Sequence, residues 1–251
     1  MNTIIRRSFA LLETLATADT SLGITELAAR NELPLSTSHR LLKTLQELGY
    51  VEQDPDTHKY TLGVRFLNLR GAVIRQINLA AIAMPIMKAL MQRVNETVHL
   101  AVMSEGEIVY IERVEGLQTQ GMYTRIGKRA PAHSTALGKV MLAYMPEEVR
   151  HEVVTRRGLP RFSPTTITNA EELDREVERI RARGYATDNG ETGEKVRCLA
   201  APLRDFTGQT VAALSISAPE ERMPIKRDGE LSEAVCKAAR MISQKLGYID
   251  D

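Results

Sequence analysis

The chain contains no run of about 18 apolar residues, the length that a membrane-spanning helix needs. Its first residues, MNTIIRR, have neither the apolar core nor the cleavage site of a secretory signal peptide. Both absences predict a cytoplasmic protein with no membrane partner.

Cysteine is scarce, and the common catalytic motifs are missing. Cys198 and Cys236 lie far apart, without a CxxC motif or metal-ligand spacing, and we expect both to be reduced in the cytoplasm. The sequence has no G-x-S-x-G elbow, no phosphate loop and no metal-ligand cluster. His133, Ser134, Asp188 and Cys198 are residue types found in catalytic triads, but no spacing among them demands one. The sequence therefore predicts no metal, no cofactor and no catalytic residue.

Positive charge is not in excess either. The net charge is +1, and residues 1–60 carry six Lys and Arg against eight Asp and Glu. A case for DNA binding must therefore depend on where the basic residues lie and not on their sum.

The first sixty residues contain three predicted helices, and the full length of 251 residues suits two domains. Apolar residues recur at helical spacing over 4–17, 26–32 and 36–48. Thr25 has N-cap chemistry for the second helix, and Pro34 separates the second from the third. Two helices joined by a tight turn are typical of a helix-turn-helix, although a plain helical bundle fits the same pattern.

A short hairpin is predicted directly after the third helix. Two β-prone runs, 50–53 and 59–62, flank a turn at 54–58, which is the arrangement of a wing. Such a domain meets DNA at three places, which are the polar face of the third helix, the tip of the hairpin and the start of the first helix. The predicted DNA contacts are Arg6, Arg7, Thr25, Ser36, Thr37, Ser38, His39, Arg40, Lys43, Thr44, His58 and Lys59.

The rest of the chain mixes strands with peripheral helices. Residues 63–76 are predicted to form a linker helix, and residues 77–251 an α+β domain. The domains are therefore 1–62 for DNA binding, 63–76 as linker, and 77–251.

Two features of the second domain suggest a polar pocket. Residues 131–139 pass from a loop into a helix through polar residues, and a helix start favours a carboxylate or phosphate. The alternative there is plain N-capping by Ser134 or Thr135. Ser215 and Ser217 share one face of an apolar strand, which lines either a pocket or a mildly polar surface.

Several segments resemble the IclR-type bacterial transcription regulators, and within them the KdgR-like, sugar-acid-responsive group. They lie in order along nearly the whole chain: Gly23–Ala28, Leu35–Leu42, Leu48–Val51, Met122–Gly127, Ser134–Lys139, Val196–Pro202 and Leu214–Ser217. The resemblance implies a winged helix-turn-helix, a linker helix and a GAF-like effector domain. It also implies a homodimer or dimer of dimers on an inverted-repeat DNA operator, with a small carboxylate, sugar acid or aromatic acid as effector.

The effector positions that the resemblance implies are Met122, Ala136, Leu137, Asp188, Val196, Cys198, Ser215 and Ser217. Family members with the smallest effectors tend to carry Gly and Ala where this chain has Ala136 and Leu137, so Leu137 reshapes one wall. The predicted function is a ligand-responsive DNA-binding regulator, a repressor of catabolic genes and not an enzyme. The alternatives are an enzyme acting on a small acid with an accessory helix-turn-helix, and a redox regulator that uses Cys198.

Overall fold

The computed structural model describes residues 3–18, 20–69, 78–116, 125–192 and 195–249. The chain forms two compact units, Met1–Ile77 and Asn78–Asp251. In the described ranges no helix is both long and apolar enough to cross a membrane.

The first unit contains three helices and a two-stranded hairpin. These elements are α1 (Thr3–Ala16), α2 (Ile24–Arg30), α3 (Leu35–Glu47), β1 (Val51–Gln53) and β2 (Tyr60–Leu62). Leu11, Leu27 and Leu42 are fully buried and bring one helix each into a core that also includes Val51 and Tyr60. The two strands pair antiparallel. This is the predicted winged helix-turn-helix.

The helix ends of this unit depend on backbone geometry more than on side-chain caps. Gly23 is the N-cap of α2, so the prediction that Thr25 caps this helix is wrong, and Thr25 lies inside the first turn. Pro34 precedes α3, with the φ of −58° that its ring imposes. After α3, Gly49 adopts a φ of +77°, which glycine accommodates without strain and which turns the chain into β1.

The second unit is built on a six-stranded antiparallel sheet with the order β5-β4-β3-β8-β7-β6. Its strands are β3 (Thr97–Ser104), β4 (Glu107–Val114), β5 (Arg129–Pro131), β6 (Ala186–Asn189), β7 (Val196–Arg204) and β8 (Thr210–Pro219). Its helices are α4 (Leu79–Val94), α5 (Ala136–Ala143), α6 (Glu147–Arg157), α7 (Ala170–Arg183) and α8 (Asp228–Lys245), with a short 3-10 turn at Ile225–Arg227.

Alternation along the strands gives the sheet two different faces. In β8, Leu214 and Ile216 join the core that packs against α4 and α8. Ala213 faces the opposite side, where α5 and α7 pack. Helices therefore cover both faces, and the predicted α+β class is confirmed. Of the predicted linker helix, 65–69 are helical and 70–76 lie outside the described residues.

Helix α5 lies unusually close to the loop before it. A Cβ atom on Gly138 would stand 2.3 Å from both the Cα atom and the carbonyl oxygen of Ala132. Only a glycine in the first turn of α5 permits this approach.

We expect Gly138→Ala to destabilise the protein by at least ~2 kcal/mol, because backbone atoms cannot yield to the added methyl group. Gly229→Ala is the matched control, since a Cβ atom on Gly229 meets nothing within 4 Å. It should be neutral or stabilising by about 0.5–1 kcal/mol. Urea unfolding measures both changes, and equal stabilities of the two variants would contradict the close packing.

Candidate functional sites

The outer face of α3 carries half of the predicted DNA contacts. Ser36, His39, Arg40, Lys43 and Thr44 are exposed, and Thr37 is half-buried. The opposite face carries Leu41, Leu42 and Leu45, which are in the core. The helix therefore presents a cationic and hydroxyl-rich strip of the kind that contacts phosphates and base edges.

Ser38 does not belong to this strip. It is fully buried, so its predicted place among the DNA contacts is wrong. The reason is helical periodicity, because position 38 lies three, four and seven residues before Leu41, Leu42 and Leu45 and so shares their inward face.

The remaining predicted DNA contacts are all exposed. They comprise Arg6 and Arg7 in the first turns of α1, Thr25 in α2, and His58 and Lys59 in the hairpin. The hairpin turn is organised by Asp54, whose Oδ1 accepts hydrogen bonds from the backbone N–H groups of Asp56 at 3.0 Å and Thr57 at 2.7 Å. These bonds lower the pKa of Asp54. The charged carboxylate thus fixes the turn that presents His58 and Lys59.

In the second unit, the start of α5 forms one wall of a cavity. The Oγ1 atom of Thr135 accepts a hydrogen bond from the N–H group of Gly138 at 3.1 Å and donates one to the carbonyl of Pro131 at 3.0 Å. Thr135 is therefore the N-cap, as one predicted alternative had it. The N–H groups of Ala136 and Leu137, in the first turn, are the ones that a helix leaves without an intrahelical partner.

The facing wall is the polar side of the sheet. Strand register aligns Ser217, Cys198 and Asp188 in one row across β8, β7 and β6. His99 and Ser215 stand opposite each other in the next row. Ser215 and Ser217 are 1% and 4% exposed, so the shared face that their spacing predicts is interior. Ser217 donates a hydrogen bond to the Sγ atom of Cys198 at 3.1 Å.

Seven of the eight predicted effector positions line this one cavity, and Met122 lies outside the described residues. The seven are Ala136, Leu137, Asp188, Val196, Cys198, Ser215 and Ser217. Four further residues line the cavity but were not among the predicted effector positions: His99, Tyr110, Thr135 and Thr192. A single histidine or tyrosine in an apolar strand carries no pattern of its own, so only the sheet register reveals His99 and Tyr110.

The electrostatics of the cavity depend on a buried cluster at its edge. The Oδ1 atom of Asp188 accepts a hydrogen bond from the N–H group of Glu191 at 2.8 Å. The carboxylate of Glu191 pairs with the ammonium group of Lys139, and both side chains are buried. Burial and the nearby charge of Glu191 raise the pKa of Asp188 to about 7. A sizeable fraction of Asp188 is therefore protonated at neutral pH.

Asp188 is the only Asp, Glu, Lys or Arg among the described residues that line the cavity. Burial lowers the pKa of His99 to about 3, so its imidazole is neutral. The cavity therefore offers hydroxyl groups, helix N–H groups and a carboxyl group that gains or loses a proton near neutral pH.

The two units define a ligand-responsive, DNA-binding transcription regulator, and comparison with known proteins agrees. Residues 5–55 match the IclR helix-turn-helix domain, and residues 71–244 match the bacterial transcriptional regulator IclR C-terminal domain. The chain therefore belongs to the IclR family of bacterial transcription regulators.

Individual relatives cover nearly the whole chain. The HTH-type transcriptional regulator KdgR of Dickeya chrysanthemi is 36% identical over 246 residues, which are 98% of this chain and 80% of the relative. This supports the predicted similarity to the KdgR-like group. The crystal structure of Thermotoga maritima IclR has a TM-score of 0.66 and 34% identity, over 97% of this chain and 98% of that one. An IclR homolog from Microbacterium hydrocarbonoxydans, complexed with 4-hydroxybenzoate, has a TM-score of 0.61 and 30% identity, over 97% and 99% of the two chains.

Asp188 should make stability depend on pH in a direction opposite to that of most carboxylates. Its pKa in the folded protein, about 7, lies above the ordinary 3.8. Its contribution to stability is therefore complete below about pH 4 and is lost as the pH rises through 7. The free energy of unfolding of Asp188→Asn, relative to that of the wild type, should therefore rise between pH 5 and pH 8 by an amount on the order of 1–3 kcal/mol.

Urea unfolding of both proteins at pH 5 and pH 8 measures this difference. Titrating groups far from Asp188 contribute equally to both proteins and cancel in the comparison, whereas Glu191 is coupled to Asp188 and its change is part of the measured difference. The same pH dependence in wild type and variant would show that Asp188 is ionised throughout.

Proposed function

We propose that the protein is a repressor of catabolic genes and that its effector is a small carboxylate or sugar acid. In this proposal residues 1–62 bind the operator, 63–76 form the linker, and 77–251 bind the effector and oligomerise. The observation that carries it is a buried polar cavity, in an IclR-family chain, with a helix start as one wall and two inward serines on the other.

The chemistry of this cavity suits a carboxylate. The first turn of α5 directs N–H groups and the positive end of the helix dipole to its wall. Ser215 and Ser217 add hydroxyl donors, and Asp188, when protonated, adds another. Neutral donors fixed in a site with little water stabilise an anion without a paired arginine or lysine.

The effector class also takes support from the relatives. The 4-hydroxybenzoate in the Microbacterium hydrocarbonoxydans homolog is an aromatic carboxylate. Leu137, buried at the wall of the cavity in this chain, restricts the shape of the acid that enters. A compact hydroxylated acid is the class that we favour.

On the DNA side, α3 enters the major groove and the hairpin reaches the flanking backbone. Arg40 and Lys43 are exposed on α3, but acidic residues outnumber basic ones eight to six in residues 1–60 of a single copy. A homodimer or dimer of dimers on an inverted repeat doubles these contacts. The oligomer has one arrangement that binds the operator well and another that binds it poorly. The effector binds one of these arrangements more tightly than the other and so alters operator affinity.

The alternative hypotheses find no support in the relatives, whose names are those of transcription regulators. Nor does the geometry assemble a triad. The Nε2 atom of His133 lies 3.0 Å from the carbonyl of Pro160, and His133 is not among the residues that line the cavity with Asp188.

Arg40→Ala should weaken specific operator binding by about 10–100-fold, because a guanidinium group on the recognition helix contacts bases or phosphates. The measurement is a gel shift on the DNA that footprinting identifies at the protein's own promoter. Arg30→Ala is the control, since Arg30 is exposed on α2 and pairs with Glu26 at 2.6 Å. Equal losses in both variants, or no loss in Arg40→Ala, would reject the assignment of α3.

Ser215→Ala combined with Ser217→Ala should abolish the response to effector while operator binding without effector persists. The reason is that both hydroxyl groups line the cavity and lie in a different unit from α3. A thermal-shift screen of sugar acids and aromatic acids identifies the acid, and its effect on the gel shift is then titrated. Ser232→Ala, a buried serine in α8, is the control. A double variant that still responds would refute this cavity as the effector site.

A further inference from the structure

His99 is a buried polar residue without a structural role in the described part of the chain. It lies in the middle of β3, is 2% exposed, and lines the cavity between α5 and the sheet. Neither of its ring nitrogens has a hydrogen-bond partner among the described residues. Buried polar groups are nearly always hydrogen-bonded, so an imidazole left in this state calls for an explanation.

Ser215 is in the same condition and stands beside it. The register of β3 and β8 pairs His99 with Ser215, and the two side chains share the cavity face. Ser215 is 1% exposed, and its Oγ atom also lacks a partner in the part of the chain that the structure describes. Two facing residues of the sheet thus hold three polar side-chain atoms that have no partner in the described ranges.

The imidazole is oriented, although its nitrogens have no hydrogen-bond partner among the described residues. The ring of Tyr110 contacts it edge-on, with the ring centroids 5.2 Å apart and the planes at 64°. A ring held in this way presents its nitrogens in a fixed direction, as a preorganised contact does.

The chemistry of His99 differs from that of the α5 end of the cavity. Burial and the charges of Arg113 and Lys128 hold the pKa of His99 at about 3, so the ring is neutral at any physiological pH. A neutral imidazole donates one hydrogen bond and accepts another. It therefore matches a hydroxyl group, which also donates and accepts, better than it matches a carboxylate.

The two ends are also separated in space. Strand β3, which carries His99, and strand β6, which carries Asp188, are separated by β8 and β7. Neighbouring strands lie about 4.8 Å apart, so the two backbones are roughly 14 Å from each other. The start of α5 and the β3 face are different walls of the same cavity, so an acid whose carboxylate lies at the helix start can direct another polar group toward β3.

We propose that His99, with Ser215, forms a specificity-determining subsite of the effector cavity that binds a hydroxyl or carbonyl group of the acid. The inference depends on the proposed function, because it takes the cavity as the effector site. It assigns the discrimination between substituted and unsubstituted acids to one residue. A site built to hydrogen-bond a substituent rejects the analogue that lacks it, because its own polar groups are then buried without partners.

The test compares matched pairs of acids by calorimetric titration of the full-length protein at pH 7.5. The pairs are D-gluconate with hexanoate, 4-hydroxybenzoate with benzoate, and lactate with propionate. In at least one pair, the wild type should bind the hydroxylated acid at least tenfold more tightly. His99→Phe should lose that preference to within about threefold while its affinity for the unsubstituted acid stays within about threefold. His99→Gln should retain part of the preference.

Two controls separate recognition from folding. Thr97→Val removes another buried hydroxyl without a described partner, two residues away on β3, but Thr97 does not line the cavity. It should leave every affinity unchanged. His99→Phe should melt at or above the wild-type temperature, because a phenyl ring fills similar space without unsatisfied nitrogens.

The outcomes distinguish this inference from the proposed function. If the acids bind but His99→Phe keeps the wild-type preference, or if the wild type shows no preference, the subsite is overturned and the effector cavity stands. If the wild type binds none of the six acids, the proposed function fails and the inference fails with it. A melting temperature of His99→Phe more than about 4 °C below that of the wild type would show that the imidazole is satisfied within the protein, which also rejects the subsite.

Discussion

The buried contact between Lys139 and Glu191 is the constraint on which the cavity depends. Lys139 belongs to α5, and Glu191 belongs to the segment after β6, so their ion pair joins the helical wall to the sheet wall. The backbone of Glu191 also donates to Asp188 at 2.8 Å and accepts from Thr166 at 2.6 Å. A buried pair of this kind adds little net stability, but the loss of one partner leaves a charge without compensation. It therefore fixes where α5 lies more than it strengthens the fold.

The alternation of the strands determines the chemistry that this fixed space contains. Leu214 and Ile216 of β8 fill the core beneath α8, while Ser215 and Ser217 face α5. The same period places His99 of β3 on the α5 side and Leu100 in the core. One face of the sheet thus packs in an apolar core, whereas part of the other face carries hydrogen-bonding groups in place of apolar side chains. Binding sites tolerate this loss because the ligand supplies the missing partners.

The helices and much of the candidate site could be predicted from the sequence. The residues that could not be predicted are those whose burial or role depends on contacts between distant parts of the chain. Periodicity predicted α1 and α3, because the spacing of apolar residues directly reflects burial, and it predicted that Ser215 and Ser217 share one face but not that this face is interior. It could not predict His99, whose role depends on which strand lies beside it. Ser38 was assigned outward because its residue type suits a phosphate contact, whereas its position in the helix places it in the core. The burial of Lys139 could not be predicted either, since only its pairing with a residue 52 positions away makes burial tolerable.

The charge of the DNA-binding unit has a related logic. Residues 1–60 contain six basic and eight acidic residues, so the net charge of the unit does not attract DNA strongly. Arg40 and Lys43 are nevertheless exposed on α3, where local attraction acts over less than a Debye length at physiological salt. Non-specific affinity grows with the number of phosphates neutralised, so a unit with few exposed cations gains little from arbitrary sequence. In the proposed homodimer, the register of two α3 helices on a paired site supplies affinity that one copy lacks, and a change in their spacing removes it. On this proposal, an effector that makes only a few hydrogen bonds controls DNA binding, because it needs to change only the spacing of the two helices.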